Sequence, residues 1–331
     1  MTGIDDVARA AGVSAATVSR ALSGRGRISD ATRARVRTAA AELGYVVSAA
    51  ASALATGRAS NIGVVVPLLD RWFFSNVLDG IASRLAPRGY DITLYSMGED
   101  PAQRASVLDV SLRRRRVDGV IVLSATLAED EVDRLLALEL PVIGLGATSG
   151  RLPVLRVDDA ALARLATEHL LELGHRRIAH IGYSRDGDPG LDIPSLRRHG
   201  FAEAMADAGV ASAQFAPAEF TIEEGHRAAG VLLDGAEPPT AIFAASDEMA
   251  FGALFAARER GLEVPRDLSV IGVDGHEMSG FFELTTMAQF PHAQGERAGD
   301  AVLRVIEEGS DAADEALPFE LVRRTSTAPP A

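Results

Sequence analysis

The sequence predicts an all-α head followed by a two-lobed α/β body that contains two doubly wound parallel sheets. Short helical segments occupy the chain up to residue 44, and from residue 62 short apolar runs alternate with amphipathic stretches to the end of the 331-residue chain. This alternation is typical of parallel strands connected by helices on both faces of a sheet. It continues for longer than one sheet usually needs, so we expect two lobes.

Three short helices are predicted in the head, each preceded by side chains that can cap it. The expected capping residues are Thr2 with Asp5, Ser14, and Ser29 with Asp30. Gly12 can end the first helix and Gly44 the third, because glycine readily adopts the left-handed conformation of helix ends. Two helices joined by a tight turn are the pattern of a helix-turn-helix.

The body contains seven predicted strands and seven predicted helices. The strands are 62–67, 91–95, 119–123, 142–145, 177–181, 241–245 and 269–273, and the helices are 75–88, 102–113, 159–173, 196–208, 222–233, 247–260 and 293–308. Ligands of doubly wound sheets bind beyond the carboxyl ends of the strands. The residues that directly follow each strand are therefore the candidates for a binding site.

Composition excludes several classes of protein. The chain has no cysteine, which excludes disulfides, thiolate nucleophiles and cysteine-based metal sites. Its first residues lack the basic and apolar regions of a signal peptide. No run of about 18 apolar residues, the length that a membrane helix needs, occurs in the sequence. We therefore expect a cytoplasmic protein without a membrane partner.

The charge distribution separates the head from the body. The net charge of the chain is −13, but residues 1–58 contain eight arginines and only four acidic residues. A basic head on an acidic body is expected when a DNA-binding module is joined to a sensor. The second helix of the head would then lie in the major groove with Ala15, Ala16, Thr17, Ser19 and Arg20 on its outer side. Arg20 can form a bidentate pair with guanine, whereas Thr17 and Ser19 suit phosphate contacts.

Specific motifs cover essentially the whole chain. They are IDDVARAAGVSAATVSRALSG at 4–24, NIGVVVP at 61–67, HLLELGHRRIAHI at 169–181, ASDEMAFG at 245–252, SVIGVD at 269–274 and LTT at 284–286. With these motifs the sequence resembles the lactose-repressor/galactose-repressor (LacI/GalR) family of transcriptional regulators. The resemblance implies a homodimer, expected to be a repressor, that binds a near-palindromic operator under small-molecule control.

The resemblance also assigns roles in the head and the linker. Ala15 and Ala16 fill the two positions that vary with operator preference, and Arg20 fills the base-contacting position. Ser14, which can cap the second helix, is predicted to be a further DNA-binding residue. Leu54 matches the leucine of a hinge helix that wedges into the minor groove. The implied domains are a helix-turn-helix at 1–47, a hinge helix with linker at 48–60, and a two-lobed body for effector binding and dimerisation at 61–331. No heptad pattern predicts a tetramerising tail, so we expect a dimer.

The effector site is predicted from the strand ends. Asp70 could bind hydroxyls, and Trp72 or Phe73 could stack on a sugar ring, although both rings could equally pack at the start of a helix. Ser124, Ser246 and Asp274 follow strands, as does Asp247, which could instead cap its helix. The resemblance adds two residues, a ligand-binding Arg197 and a stacking Phe220. The set suits a carbohydrate in a cleft like that of periplasmic sugar-binding proteins, while arginine–aspartate pairs would also suit a purine, a sugar phosphate or an organic acid.

The sequence contains no complete motif of the common enzyme classes. Gly144 and Gly146 follow a strand, but the third glycine of a dinucleotide-binding fingerprint would fall on Ser149. Walker A, HExxH and GxSxG patterns are missing, and Asp274, His276 and Glu277 on one loop are weak evidence for a metal site. We therefore predict no catalytic residue, metal or cofactor. A solute-binding protein is disfavoured by the helix-turn-helix.

Overall fold

The structure is a computed structural model that describes residues 3–23, 27–45, 57–98, 100–114, 116–146, 151–184, 192–210 and 214–331. The chain divides into two compact units, one formed by residues 1–61 with 115–118 and the other by 62–114 with 119–331. The two units are described separately. The predicted hinge at 48–56, including Leu54, lies outside the described residues.

The head contains three helices, α1 (Ile4–Ala11), α2 (Ala15–Ser23) and α3 (Asp30–Glu42). They enclose one apolar core, whose fully buried members include Val7, Val18 and Val36. Burial of these side chains orients α1 and α2 about the turn at Gly12, where φ is +64° and a side chain would be strained. The three predicted helices of the head are confirmed.

The caps of the head helices agree with the sequence in two of three cases. Ser14 Oγ accepts a hydrogen bond from Thr17 N at 3.2 Å, and Ser29 Oγ accepts one from Thr32 N at 3.3 Å. The expected pair of Thr2 and Asp5 is wrong for α1, which begins after Gly3. The Asp6 carboxylate accepts from Gly3 N at 2.9 Å instead.

The body contains two six-stranded sheets, each the centre of one lobe. Its strands are β1 (Asn61–Val66), β2 (Asp91–Ser96), β3 (Gly119–Leu123), β4 (Val142–Leu145), β5 (Val154–Arg156), β6 (Ile178–Gly182), β7 (Gln214–Pro217), β8 (Ala241–Ala244), β9 (Ser269–Asp274), β10 (Thr285–Ala288), β11 (Glu315–Ala316) and β12 (Glu320–Val322). The first sheet has the order β11-β5-β4-β3-β1-β2 and the second β12-β10-β9-β8-β6-β7. Apart from β12, which runs antiparallel to β10, the neighbouring strands with a defined register are parallel.

Helices cover both sheets. They are α4 (Trp72–Leu85), α5 (Pro101–Ala105), α6 (Glu129–Leu136), α7 (Asp159–Glu172), α8 (Ile193–Asp207), α9 (Ile222–Leu233), α10 (Asp247–Glu259) and α11 (Pro291–Glu308). The predicted helix at 102–113 is only partly α-helical, because it continues from α5 as a π-helix at Ser106–Ser111 and a 3₁₀-helix at Leu112–Arg114. No helix within the described ranges is long and apolar enough to cross a membrane.

The chain passes between the two lobes after β5, after β10 and after β11. Helix α11 returns to the first lobe, where it packs closely on α4. A Cβ at Gly80 would lie 2.0 Å from His292 O, and one at Gly295 would lie 2.0 Å from Val77 O. Glycine is required at both positions because the two backbones approach so closely. This packing fixes α4, whose first turn borders the site.

Candidate functional site: a cleft between two lobes

A cavity of about 400 Å³ lies between the carboxyl ends of the two sheets. Its size is in the range of pockets that enclose small molecules. The first lobe contributes residues that follow β1 to β4, and the second contributes residues that follow β6 to β10. The rule that ligands bind at strand ends therefore places the cavity correctly.

Seven of the nine predicted effector residues line this cavity. They are Trp72, Phe73, Ser124, Arg197, Phe220, Ser246 and Asp274. Two of them have unusual backbones, since φ is +41° at Ser124 and +124° at Asp274. Such strained conformations concentrate at functional sites, where the surrounding structure maintains them.

The other two predicted residues, Asp70 and Asp247, do not line the cavity. The Asp70 side chain is 72% exposed and forms an ion pair with Arg71 at 3.5 Å. Asp247 is fully buried, and its carboxylate accepts three hydrogen bonds at 2.7 Å, from Thr286 Oγ1, Ser279 Oγ and His276 N. Burial raises the pKa of Asp247 to about 6. Its bonds hold the loop that follows β9, so the structure gives Asp247 a positioning role.

A buried hydrogen-bond network forms the second lobe's side of the cavity. Arg197 Nε donates to Asp159 Oδ1 at 2.8 Å, and Arg197 Nη1 donates to Ala245 O at 2.6 Å. Arg197 Nη2 reaches Gln289 Oε1 at 3.3 Å, and Gln289 Nε2 donates to Asp274 Oδ1 at 2.8 Å. The network fixes the side chains before any ligand arrives, which lowers the cost of binding.

Burial also changes the titration of the two carboxyl groups in this network. It raises the pKa of Asp274 well above its usual range, although the Arg197 guanidinium acts in the opposite direction. The pKa of Asp159 is raised for the same reason, and again Arg197 opposes the shift. Desolvation disfavours the charged form of a carboxyl group. A ligand hydroxyl that forms a hydrogen bond with Asp274 would supply part of the hydrogen bonding that water gives to an exposed carboxyl group.

Aromatic side chains form a large part of the cavity wall. Phe73 packs against the apolar core of the body and meets Phe74 edge-on, with ring centroids 5.6 Å apart. The Trp72 ring stacks on His276 of the second lobe at 4.3 Å. Phe220 lies beside Tyr183 at 6.5 Å. The structure therefore distinguishes Trp72 from Phe73, since Phe73 has a packing role that Trp72 does not share.

Sequence reasoning missed many residues that line the cavity, and four of them carry charged, imidazole or amide side chains that matter for the site. They are Arg104, Glu248, His276 and Gln289. Arg104 forms a two-bond pair with Glu131, with distances of 2.7 and 2.6 Å. Gln289 directly follows β10, so the strand-end rule would have found it if β10 had been predicted. His276 was considered only as a metal ligand, and the described residues contain no group of three or more side chains that could hold a metal ion.

In the head, the structure places the predicted DNA-contacting residues on and around α2. Ala16 and Arg20 are exposed. Thr17 Oγ1 lies 2.9 Å from Ser14 Oγ, so both hydroxyls already take part in the helix cap. Ala15, expected on the outer side, instead packs partly against the core of the head. This difference follows from the first turn of α2, which is close to the turn that joins it to α1.

Comparisons with known proteins agree with both units. Residues 3–48 match the model of the bacterial regulatory proteins of the lacI family, and residues 167–327 match a periplasmic binding protein-like domain. The transcriptional regulator DegA of Bacillus subtilis is 35% identical, with 99% of this chain and 98% of DegA aligned. The repressor CytR of Escherichia coli is also 35% identical, over 88% of this chain and 86% of CytR.

Solved structures show the same architecture. The lac repressor dimer bound to operator and the anti-inducer ONPF has a TM-score of 0.86 and 28% identity, and 99% of each chain is covered. A complex of the transcriptional regulator CelR with cellobiose has a TM-score of 0.71 and 28% identity, and covers 98% of this chain and all of that one.

A helix-turn-helix head and a two-lobed body with a ligand-sized cleft define a regulator whose DNA binding is controlled by a small molecule. The chain belongs to the LacI family of bacterial transcriptional regulators. This membership places it among DNA-binding regulators rather than among enzymes.

Proposed function

We propose that the protein is a homodimeric repressor in the cytoplasm whose affinity for a near-palindromic operator is controlled by a carbohydrate in the cleft. The side chains that line the cavity support a carbohydrate as the effector. Aromatic rings at Trp72 and Phe220 offer apolar surfaces to the C–H groups of a sugar, and Arg197, Ser246 and Asp274 offer hydrogen bonds to its hydroxyls.

The charges around the cavity favour a neutral ligand over an anion. Arg197 is paired with Asp159 and Arg104 with Glu131, while Arg71 lies beside Asp70. Glu219, Glu248 and Asp274 also line the cavity. Because Arg197 and Arg104 are already paired with carboxyl groups, an anionic ligand would have to compete for them in a partly desolvated site. The arrangement therefore disfavours sugar phosphates and organic acids.

Structural relatives support a carbohydrate in particular. One relative is the CelR–cellobiose complex, and another is a LacI-family regulator from Enterococcus faecium with bound ribose, at a TM-score of 0.72 and 30% identity. A purine is the second candidate, because the rings of Trp72 and Phe220 could stack on a flat heterocycle as well as on a sugar.

Thermal unfolding of the full chain with ribose, cellobiose, glucose, adenosine and glucose 6-phosphate tests the effector proposal. A ligand at 100 times its dissociation constant should stabilise the protein by about 2.7 kcal/mol. We expect a neutral sugar to raise the Tm of the wild type, and Asp274→Ala to abolish that rise when each protein is compared with its own ligand-free Tm. A rise with adenosine or glucose 6-phosphate alone would overturn the carbohydrate assignment, and a sugar response that persists in Asp274→Ala would overturn the role of Asp274.

On the DNA side, we propose that α2 lies in the major groove, with Arg20 reading a guanine and Ala16 touching a thymine methyl. The exposure of both residues supports this orientation. Ser14, Thr17 and Ser19 would then lie near the DNA backbone, and the role of Ala15 in operator preference stays a prediction. Contact between Leu54 and the minor groove stays a prediction.

Operator fragments selected from random DNA by the wild-type protein provide the test of Arg20. We expect Arg20→Ala to weaken binding to a selected operator by about 1–3 kcal/mol at the guanine position and to relax the preference there. Arg9→Ala, which removes an exposed arginine of α1 that is paired with Asp6, is the matched control and should keep the sequence preference. Unchanged preference in Arg20→Ala would contradict the assignment.

A further inference from the structure

Two aromatic rings meet across the cleft. Trp72 begins α4 in the first lobe, and His276 follows β9 in the second. Their ring centroids are 4.3 Å apart with an angle of 28° between the planes, which is a stacked arrangement. Both side chains also line the cavity. The contact therefore connects the two lobes at the wall of the site itself.

His276 is held firmly by the second lobe. Its backbone N donates to Asp247 Oδ2 at 2.7 Å, and its ring Nδ1 accepts from Met278 N at 3.0 Å. Phe251 meets the ring edge-on at 5.4 Å. Because Nδ1 is an acceptor, the proton of the neutral ring lies on Nε2. Partial burial lowers the pKa of His276, which keeps the ring neutral.

We propose that His276 is a positioning residue that holds Trp72 across the cleft, so that its indole forms a wall of the effector site only when the two lobes are closed. We call the stack of Trp72 on His276 the cross-cleft contact. The proposal rests on the proposed function in one respect, that the effector occupies this cavity. An effector that packs on the indole then favours the closed arrangement, because the indole is presented to it only there.

The chain has a single tryptophan, so tryptophan emission reports on Trp72 alone. We would measure acrylamide quenching of this emission in the ligand-free full chain. His276→Ala should increase the quenching constant about twofold or more and shift the emission to longer wavelength, because the stack that covers the indole is lost. His276→Phe should restore most of the protection, since it keeps an aromatic ring.

His199→Ala is the matched control, because it removes an imidazole that is 63% exposed on α8. It should leave the quenching unchanged. Equal exposure of Trp72 in His276→Ala and His276→Phe, or no change in either, would overturn the cross-cleft contact. Circular dichroism of each variant separates loss of this contact from unfolding, and the phenylalanine variant keeps the proposal testable if the alanine variant unfolds.

Ribose and cellobiose separate this inference from the proposed function. If either sugar binds the wild type, its addition should change Trp72 emission, and His276→Ala should weaken its binding about two- to tenfold while His276→Phe does not. If neither sugar raises the Tm or changes the emission, the carbohydrate assignment fails, while the quenching results still decide the cross-cleft contact. Binding of a sugar with unchanged emission and equal affinity in all variants would refute the positioning role of His276.

Discussion

The two lobes share a fold but bury different kinds of side chain. In the first lobe, β3 and β4 are buried and wholly apolar, and only Glu131 and Gln294 are buried polar residues within the described part of that lobe. The second lobe contains many more buried polar residues. They are Asp159, Thr167, His169, His175, His180, Arg197, Ser246, Asp247, Ser269, Asp274, Ser279, Thr285, Thr286, Gln289 and Ser326.

This difference indicates that the two lobes contribute different kinds of contact to the cleft. The second lobe offers hydrogen-bonding groups that are already ordered, and the first lobe supplies mainly aromatic and apolar wall. Buried polar groups are costly when one partner is lost, whereas apolar packing responds more gradually to substitution. Substitutions in the second lobe should therefore change stability and effector binding together, and the following predictions test that expectation.

The largest effect is expected at the Arg197–Asp159 pair, whose side chains are both only 5% exposed. Arg197→Ala leaves the Asp159 carboxylate buried without its partner. Loss of one member of a buried ion pair costs about 3–5 kcal/mol of unfolding free energy. Urea unfolding of the ligand-free chain measures this cost.

Arg164→Ala provides the comparison for this measurement. Arg164 is partly exposed and faces three carboxylates, those of Glu168, Glu203 and Asp207. Exposed ion pairs contribute only about 0–1 kcal/mol, so this variant should unfold nearly as the wild type does. If Arg197→Ala and Arg164→Ala lose similar amounts of unfolding free energy, burial does not determine how much an arginine ion pair contributes to the stability of this lobe.

A somewhat smaller effect concerns His180, a fully buried imidazole surrounded by Phe201, Phe215 and Phe243. Its Nδ1 donates to Phe243 O at 3.0 Å, while Nε2 has no partner. Burial lowers the pKa of His180 to about 4. The unfolded chain therefore binds a proton near pH 6.5 that the folded chain does not, and stability is lost as the pH falls from 6.5 towards 4.

The stability of wild type should fall by about 3 kcal/mol more than that of His180→Phe over this pH range. The loss of stability in the wild type is compared with the loss in His180→Phe because both proteins contain Asp247. The pKa of Asp247 is about 6, so its protonation stabilises both proteins as the pH falls and opposes the effect of His180. His180→Leu serves as a second variant if phenylalanine does not fit. Parallel pH profiles for wild type and both variants would mean that His180 titrates normally in the folded chain.

The sequence predicted the fold well where burial leaves a continuous apolar signal. Strands β1, β3, β4, β6, β8 and β9 were found because their side chains are almost all apolar or buried, and the more exposed β2 was found as well. The missed strands β5, β7, β10, β11 and β12 have two to four residues each and contain at least one polar residue, so they do not form a continuous apolar run like the four-residue strands β4 and β8. Their existence depends on pairing with neighbours that are distant in sequence, which no local pattern encodes.

The site was predictable to the extent that it follows strand ends. Ser124, Ser246 and Asp274 were found by this rule, and Arg197 and Phe220 only through the family resemblance. Asp247 was misplaced because neighbouring residues at a helix start point in different directions, and the sequence does not show which of the two faces the cleft. The stack of Trp72 on His276 was beyond sequence reasoning, because the two residues lie in different lobes.

The smallest predicted effect separates a helix cap from a ligand contact. Ser246 Oγ accepts from Met249 N at 3.2 Å at the start of α10 and also lines the cavity. Thr221 Oγ1 caps α9 in the same way, accepting from Glu224 N at 3.0 Å, but does not line the cavity.

Ser246→Ala and Thr221→Ala should each lower the unfolding free energy by about 1 kcal/mol. Only Ser246→Ala should also weaken binding of a sugar that raises the wild-type Tm, by about fivefold for one lost neutral hydrogen bond. If both variants bind the sugar as the wild type does, Ser246 acts only as a cap, and the second lobe's contribution to recognition reduces to Arg197, Phe220 and Asp274.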